Sequence, residues 1–277
     1  VIGVAFEGGR LPEDFKGELR AALHLGISLV NGLHTLISED AELAGLASEN
    51  GVRIIDIRKP KPFEQLHFWT GKIREVTVPR VAVLGMDCAV GKRTTCGMLL
   101  EGLGASGIQA ETIYTGQTGW LEGHRYGCIV DSTLNDFVSG ELEHAVVTCF
   151  HEQQPDLILI EGQSSLRNPS GPFGAELLLS VQAKHVVLQH DPRRIYFDDD
   201  ANVGFEVPAV RSEIKLIRRY GAQVIAVTLH PAAKAEVPEL ADQLSEALAL
   251  PVVWAEKEGM RRIVDNLAAH LPGQSLQ

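Results

Sequence analysis

The sequence predicts an α/β protein built from two units of parallel sheet. Three observations carry that expectation. Short apolar runs alternate with helical runs along most of the chain, with brief Gly- or Pro-marked connections between them. Such alternation implies parallel strands and right-handed crossovers. A charged, proline-rich break, Arg58-Lys59-Pro60-Lys61-Pro62, interrupts it once. Beyond that break, the stretch VAVLGMDCAVGKRTT at 81–95 puts a strand, a turn with Gly at both ends and a helix start in one place.

That stretch organises the second unit. Residues 81–84 read as a buried strand and 85–91 as a turn. Lys92, Arg93, Thr94 and Thr95 open a helix expected over 92–103, with Gly104 as its stop. Glycines let backbone N–H groups turn inward, a helix N-terminus adds partial positive charge, and a lysine there reaches phosphate. The residues expected to hold a phosphate-bearing cofactor are therefore Gly85, Ala89, Val90, Gly91, Lys92, Arg93, Thr94 and Thr95. The common pattern has four residues between its glycines and a hydroxyl directly after the lysine. Here there are five, and Arg93 takes the hydroxyl position. The displaced threonine counts against metal–nucleotide use more than against phosphate binding, and no metal ligands are assigned. The longer loop with its early Asp87 resembles that of dethiobiotin synthetase and its relatives. The second unit is accordingly expected to be P-loop NTPase-like.

The first unit reads as small and Rossmann-like. Strands are expected over 1–5, 27–30 and 52–57, and helices over 12–25 and 41–48, the second capped by Asp40. Gly8-Gly9 after the first strand lacks a full GxGxxG and reads as a tight turn. The domains are expected to be 1–70 and 71–277, with the boundary between Pro60 and Pro79.

The second unit continues with a strand over 110–115 and the polar turn Thr115-Gly116-Gln117-Thr118-Gly119-Trp120. Ligands of open parallel sheets bind beyond the carboxyl ends of strands, so Gln117 and Thr118 are expected to contact substrate. A helix follows over 142–153, preceded by Asp136 and Glu141, candidates for a cation or a substrate amine. Residues 156–160, DLILI, form a strong strand that ends at Glu161. A carboxylate there is costly to bury for packing alone, so Glu161 is a candidate magnesium ligand or general base. Arg167 and Asn168 lie in the polar loop beyond it, and Arg167 suits a substrate carboxylate. Strands at 185–189, 224–228 and 252–254 and helices at 208–219, 239–248 and 260–269 complete the pattern. His190 is weighed as a proton carrier, and Asp198 to Asp200 read as a solvated loop.

Composition narrows the function classes. The 277 residues include 45% hydrophobic and 22% charged side chains, as in a globular protein with a proper core. A net charge of −11 argues against nucleic acid as a partner. No apolar run approaches the ~20 residues needed to span a membrane. No signal peptide is visible, and an upstream segment before Val1 is expected. Cys88, Cys96, Cys128 and Cys149 show no metal spacing and suit a reducing cytoplasm. Cys88 reads as a small loop residue rather than a nucleophile. Small-molecule substrates and a homo-oligomeric state are expected.

Several motifs occur together and in order: Gly85 to Lys92, Thr115 to Gly119, Asp136-Phe137-Val138-Ser139-Gly140 and Ile160-Glu161-Gly162-Gln163. With Gly8 to Pro12 and Gly32-Leu33-His34, they resemble a two-domain P-loop family known as a domain of unknown function. Some of its members are D-glutamate N-acetyltransferases. The resemblance spans nearly the whole chain. It departs at Met86, where the family usually has Thr, at Ser164, where it has Gly, and at Asn168, where it has His. It implies acetyl transfer from acetyl-CoA to the amine of D-glutamate or a similar acidic amino acid. Glu161, Asp87 and Lys92 are then the catalytic candidates. Gln117, Thr118, Asp136, Arg167 and Asn168 are the substrate-binding candidates. Two other readings stand beside it: an ATP-dependent ligase or kinase using Mg2+, and a nucleotide-binding regulatory protein.

Overall fold

A computed structural model of the chain describes residues 1–4 and 10–269. It has two parallel sheets. The smaller pairs β1 (Leu29–Asn31) with β2 (Ile54–Asp56) and carries α1 (Lys16–His24) and α2 (Ala41–Glu49). Asp40 caps α2 by accepting from the N–H groups of Glu42 and Leu43 at 3.1 and 3.2 Å. This unit has its own small core of Leu19, Leu23, Leu29, Ile37, Leu43 and Ala47. It is the Rossmann-like unit. The strand expected over 1–5 is not formed by residues 1–4, although Ile2 N–H donates to the Val30 carbonyl. Ala5, Gly8 and Gly9 lie outside the described residues.

The larger sheet has seven strands, all parallel, in the order β5-β4-β6-β3-β7-β8-β9. They are β3 (Arg80–Gly85), β4 (Ala110–Tyr114), β5 (Tyr126–Gly127), β6 (Leu157–Glu161), β7 (His185–His190), β8 (Gln223–Leu229) and β9 (Val252–Trp254). The central β3 feeds α3 (Lys92–Ala105). On one face α3 packs with α9 (Lys257–Ala269), through Cys96, Leu99 and Leu103 against Met260, Ile263, Val264 and Leu267. On the other lie α5 (Asn135–Gln153), α6 (Ala175–Leu179), α7 (Val210–Arg219) and α8 (Leu240–Leu248). Both faces are covered, which is why the strands read as continuous apolar runs.

Several expected boundaries shift, each through tertiary contact. Gly104 does not stop α3, because packing on α9 outweighs the ~1 kcal/mol that glycine costs a helix. The turn at 117–121 is a short helix, α4 (Gln117–Leu121). Helix α5 begins at Asn135 rather than 142 and runs through Gly140, where a Cβ would overlap the His67 carbonyl oxygen. The proline-rich segment is therefore a strap lying on α5. Buried Glu141 accepts from Lys61 Nζ at 2.5 Å and His67 N–H at 2.9 Å. Buried Glu143 accepts from the N–H groups of Thr70 and Ile73 at 2.6 and 3.0 Å. Among the described residues no helix is long and apolar enough to cross a membrane.

Candidate functional site

Strand parity decides which side chains meet above the sheet. On β6, Leu157 and Leu159 face α3 while Ile158 and Ile160 face α5, so Glu161 also points to the α3 side. The same alternation on β3 and β7 puts Gly85 and Gln189 there. Gly85 is needed for close approach, since a Cβ would lie 2.8 Å from Lys92 Nζ. Gly91 has φ 101° and caps α3 without a side-chain bond. The opening N–H groups of α3 lack intrahelical partners and face a cleft of about 520 Å³.

That cleft is lined by the turn Cys88 to Thr94, by Gly116, Gln117 and Thr118, by Glu161 to Ser164, and by Arg58 and His230. Lys92 is buried, and its Nζ donates to the carbonyls of Asp87 and Ser164 at 2.6 and 2.8 Å. Burial lowers its pKa to about 8. Glu161 is 6% exposed. Its Oε2 accepts from the Thr115 N–H at 3.3 Å, and desolvation raises its pKa above the ordinary carboxylate value. Gly119 lets α4 sit against it, as a Cβ there would be 3.2 Å from Oε2. His230 Nδ1 accepts from the Ala232 N–H at 3.3 Å, so the neutral ring carries its proton on Nε2. The buried Gln189 amide accepts from Thr95 Oγ1 and Thr228 Oγ1 at 2.6 and 2.5 Å. Its Nε2, beneath Gly91, has no protein partner. An open helix start, a lysine held only by carbonyls and an orphaned amide donor fit a phosphate group.

The expected residues divide between the cleft and its surroundings. Ala89, Val90, Gly91, Lys92, Arg93, Thr94, Gln117, Thr118 and Glu161 line it. Gly85 lies beneath it. Thr95 is fully buried and bonded to Gln189. Asp87 is behind the loop with no exposure, its oxygens taken by Asn168 Nδ2 at 2.9 Å, the Asp198 N–H at 2.9 Å and Arg194 at 3.3 Å. Asn168 is equally buried and braces that contact, with Nδ2 also 3.0 Å from Asp198 Oδ1. Arg167 does not face the cleft. Its Nε donates at 2.6 Å to Glu213, which is 1% exposed. Asp136 is exposed in the first turn of α5. Asp198 is no free loop carboxylate, since it also accepts from Ser170 Oγ at 2.7 Å. Burial pushes His190 down to about 4 and raises the Cys88 thiol, whose Sγ donates to Ser164 Oγ at 3.3 Å. Neither is poised for chemistry near neutrality.

Arg58 and His230 were not expected in the site. His230 directly follows strand β8 at its carboxyl side, so the strand-end rule that selects Glu161 also reaches it. Arg58 carries no comparable signal.

Two family models match the chain. One is described as the DUF1611_N Rossmann-like domain and matches residues 1–60. The other is described as the DUF1611_C P-loop domain of unknown function and matches 67–264. The chain is 29% identical to a D-glutamate N-acetyltransferase of Tritonibacter scottomollicae, over 97% of this chain and 80% of that one. It is 27% identical to one of a Pseudoalteromonas species, over 96% and 80%. A crystal structure of a DUF1611 family protein from Anabaena variabilis superposes with a TM-score of 0.86 at 28% identity, covering 96% of this chain and 78% of that one.

Proposed function

The chain belongs to the DUF1611 family, and we propose that it moves an acetyl group from acetyl-CoA to the amine of D-glutamate or a similar acidic amino acid. The observation that carries this reading is Glu161. It is a nearly buried carboxylate with a raised pKa, set in the same cleft as Lys92 and the open start of α3. The names of the relatives supply the acetyl group and the acceptor; acetyl-CoA as donor is part of the proposal.

The chemistry follows from the groups present. Acetyl-CoA brings an activated thioester on a carrier rich in phosphate. Lys92 and the loop N–H groups suit those phosphates, or the negative charge that develops on the thioester oxygen. An ammonium does not attack, so the acceptor must first lose a proton, and Glu161 takes it. A carboxylate with a raised pKa is a better base than an exposed one. The N–C bond then forms as the C–S bond breaks, and coenzyme A leaves as a thiolate that takes up a proton.

The ligase or kinase reading needs a hydroxyl beside Lys92 to hold magnesium. Arg93 occupies that position and the Thr95 hydroxyl is committed to Gln189, which leaves Thr94 and Glu161, both in the cleft, as the residues that would hold the metal. The displaced hydroxyl makes this the second reading, and no step is derived through the metal.

The test is free-thiol release from acetyl-CoA in the presence of D-glutamate, without ATP or magnesium. Release should depend on D-glutamate, and Glu161→Gln should slow it by about 10²–10⁴-fold. Glu161 acts only when ionised, so the rate should fall as pH drops through its raised pKa. That acid limb should vanish in E161Q. No thiol release, with ADP formed once ATP and magnesium are added, would sink the reading.

A further inference from the structure

A second space of about 370 Å³ opens between the two units, bounded by Gly32 and His34 of the first and by Gln117, Thr118 and Leu121 of α4. It shares Arg58, Gln117 and Thr118 with the P-loop cleft, so the two spaces have a common wall. We propose that this is the acceptor pocket and that Arg58 binds the acceptor's distal carboxylate, selecting acidic amino acids over their amides. The inference rests on the acetyl-transfer reading for the identity of the amine, and it adds the residue that sets acceptor specificity.

The state of Arg58 supports it. The side chain is 13% exposed. Nε and Nη2 both donate to one oxygen of Asp131, Oδ2, at 2.9 and 2.8 Å. Nη2 also reaches Gln117 Oε1 at 2.9 Å, and Nη1 donates to the Gly32 carbonyl. A guanidinium binds a carboxylate best with two N–H groups on two oxygens. Asp131 does not meet that geometry, and its side chain is 41% exposed, where an ion pair is weak. An incoming carboxylate with both oxygens free is a better partner. Arg167 differs: its carboxylate is buried, and removing that arginine would strand a charge.

The wall between the spaces links the two groups. Gln117 touches Arg58, and Gly119, two residues on, lies against Glu161 Oε2. Arg58 and the proposed base thus both lie against the same short helix, at its first and third residues. The proposed acceptor sets its amine near Glu161 and its distal carboxylate at Arg58, across that wall.

The experiment has two arms. Glutarate, a dicarboxylate without an amine, is titrated by calorimetry into wild type, Arg58→Gln, Arg58→Lys and Asp131→Asn. In parallel, acetyl transfer to D-glutamate and D-glutamine is compared, with thermal melts as a check on folding. Arg58→Gln should weaken glutarate and lower the D-glutamate over D-glutamine preference by about 10–100-fold, the range for a hydrogen-bonded charged pair. Arg58→Lys should recover part of the loss. Asp131→Asn removes the competing carboxylate and should tighten glutarate, whereas a purely structural bridge predicts weakening or no change. Wild type that fails to bind glutarate, or an R58Q that binds it equally well, overturns the proposal. Transfer to D-glutamate with an R58Q preference like wild type overturns it and leaves the acetyltransferase reading standing. Arg58-dependent glutarate binding without any thiol release upholds the carboxylate pocket and overturns that reading.

Discussion

Lys92 and Glu161 show how burial sets the working state of single groups. Burial of its ammonium lowers the Lys92 pKa to about 8, and its Nζ donates to two backbone carbonyls. Its pKa is depressed, so the charged form persists only below about 8. Binding of a phosphate-bearing ligand should therefore weaken as pH rises through about 8, and should take up a proton above it. Calorimetry of coenzyme A at pH 7 and pH 9, in buffers of different ionisation heat, measures both effects. Affinity and proton uptake that ignore pH would mean Lys92 does not meet the phosphates. Asp87 makes the opposite case. It is in the loop, but three donors fill its oxygens, so it braces the turn and cannot act as base. Ser164 and Ala89 hold φ of 42° and 51°, a left-handed backbone that costs non-glycine residues of order 1 kcal/mol. Both strained residues line the cleft.

Among the elements, the strap at 58–70 is the piece whose role changes most between sequence and structure. Proline and charge mark it as a linker. In the fold it carries Arg58 into the cleft, and Glu141 and Glu143 tie it to α5 by backbone and side-chain bonds. Gly140 makes the contact possible, because a side chain there would meet the backbone of His67 and Phe68. That overlap is with main chain, so relief needs the strap to move. Gly140→Ala should destabilise the protein by about 1–3 kcal/mol, as overpacking does. Urea unfolding monitored by circular dichroism checks this, and an unchanged midpoint would mean the strap does not lie on α5 in solution.

At the scale of the molecule, the seven-stranded sheet brings the ends of β3, β6 and β8 to one edge, and α4 closes the cleft above it. Helix α9 comes last in the described chain, yet it covers the helix that presents Lys92. Met260, Ile263, Val264 and Leu267 are each 2% exposed or less. Burying each is worth ~1.5–3 kcal/mol, a sum comparable to the ~5–15 kcal/mol of a typical domain. A chain ending at Glu256 should lose cooperative unfolding and coenzyme A binding together. A folded, binding-competent truncation would disprove that dependence. The alternation of runs, the P-loop and the carboxylate at the end of β6 are legible in the sequence, because strand, turn and helix start are set by neighbours along the chain. The sequence by itself thus determined the fold class and the place of Lys92, Gly91 and Glu161. Only the tertiary structure decided which other polar groups face the ligand. Arg58 reaches Gly32, Gln117 and Asp131 across 26, 59 and 73 residues. Arg167 is drawn to Glu213 across 46, and Asn168 to Asp87 across 81. A side chain's direction is set by the partner that best offsets its burial, and those partners become neighbours only when the sheet is assembled.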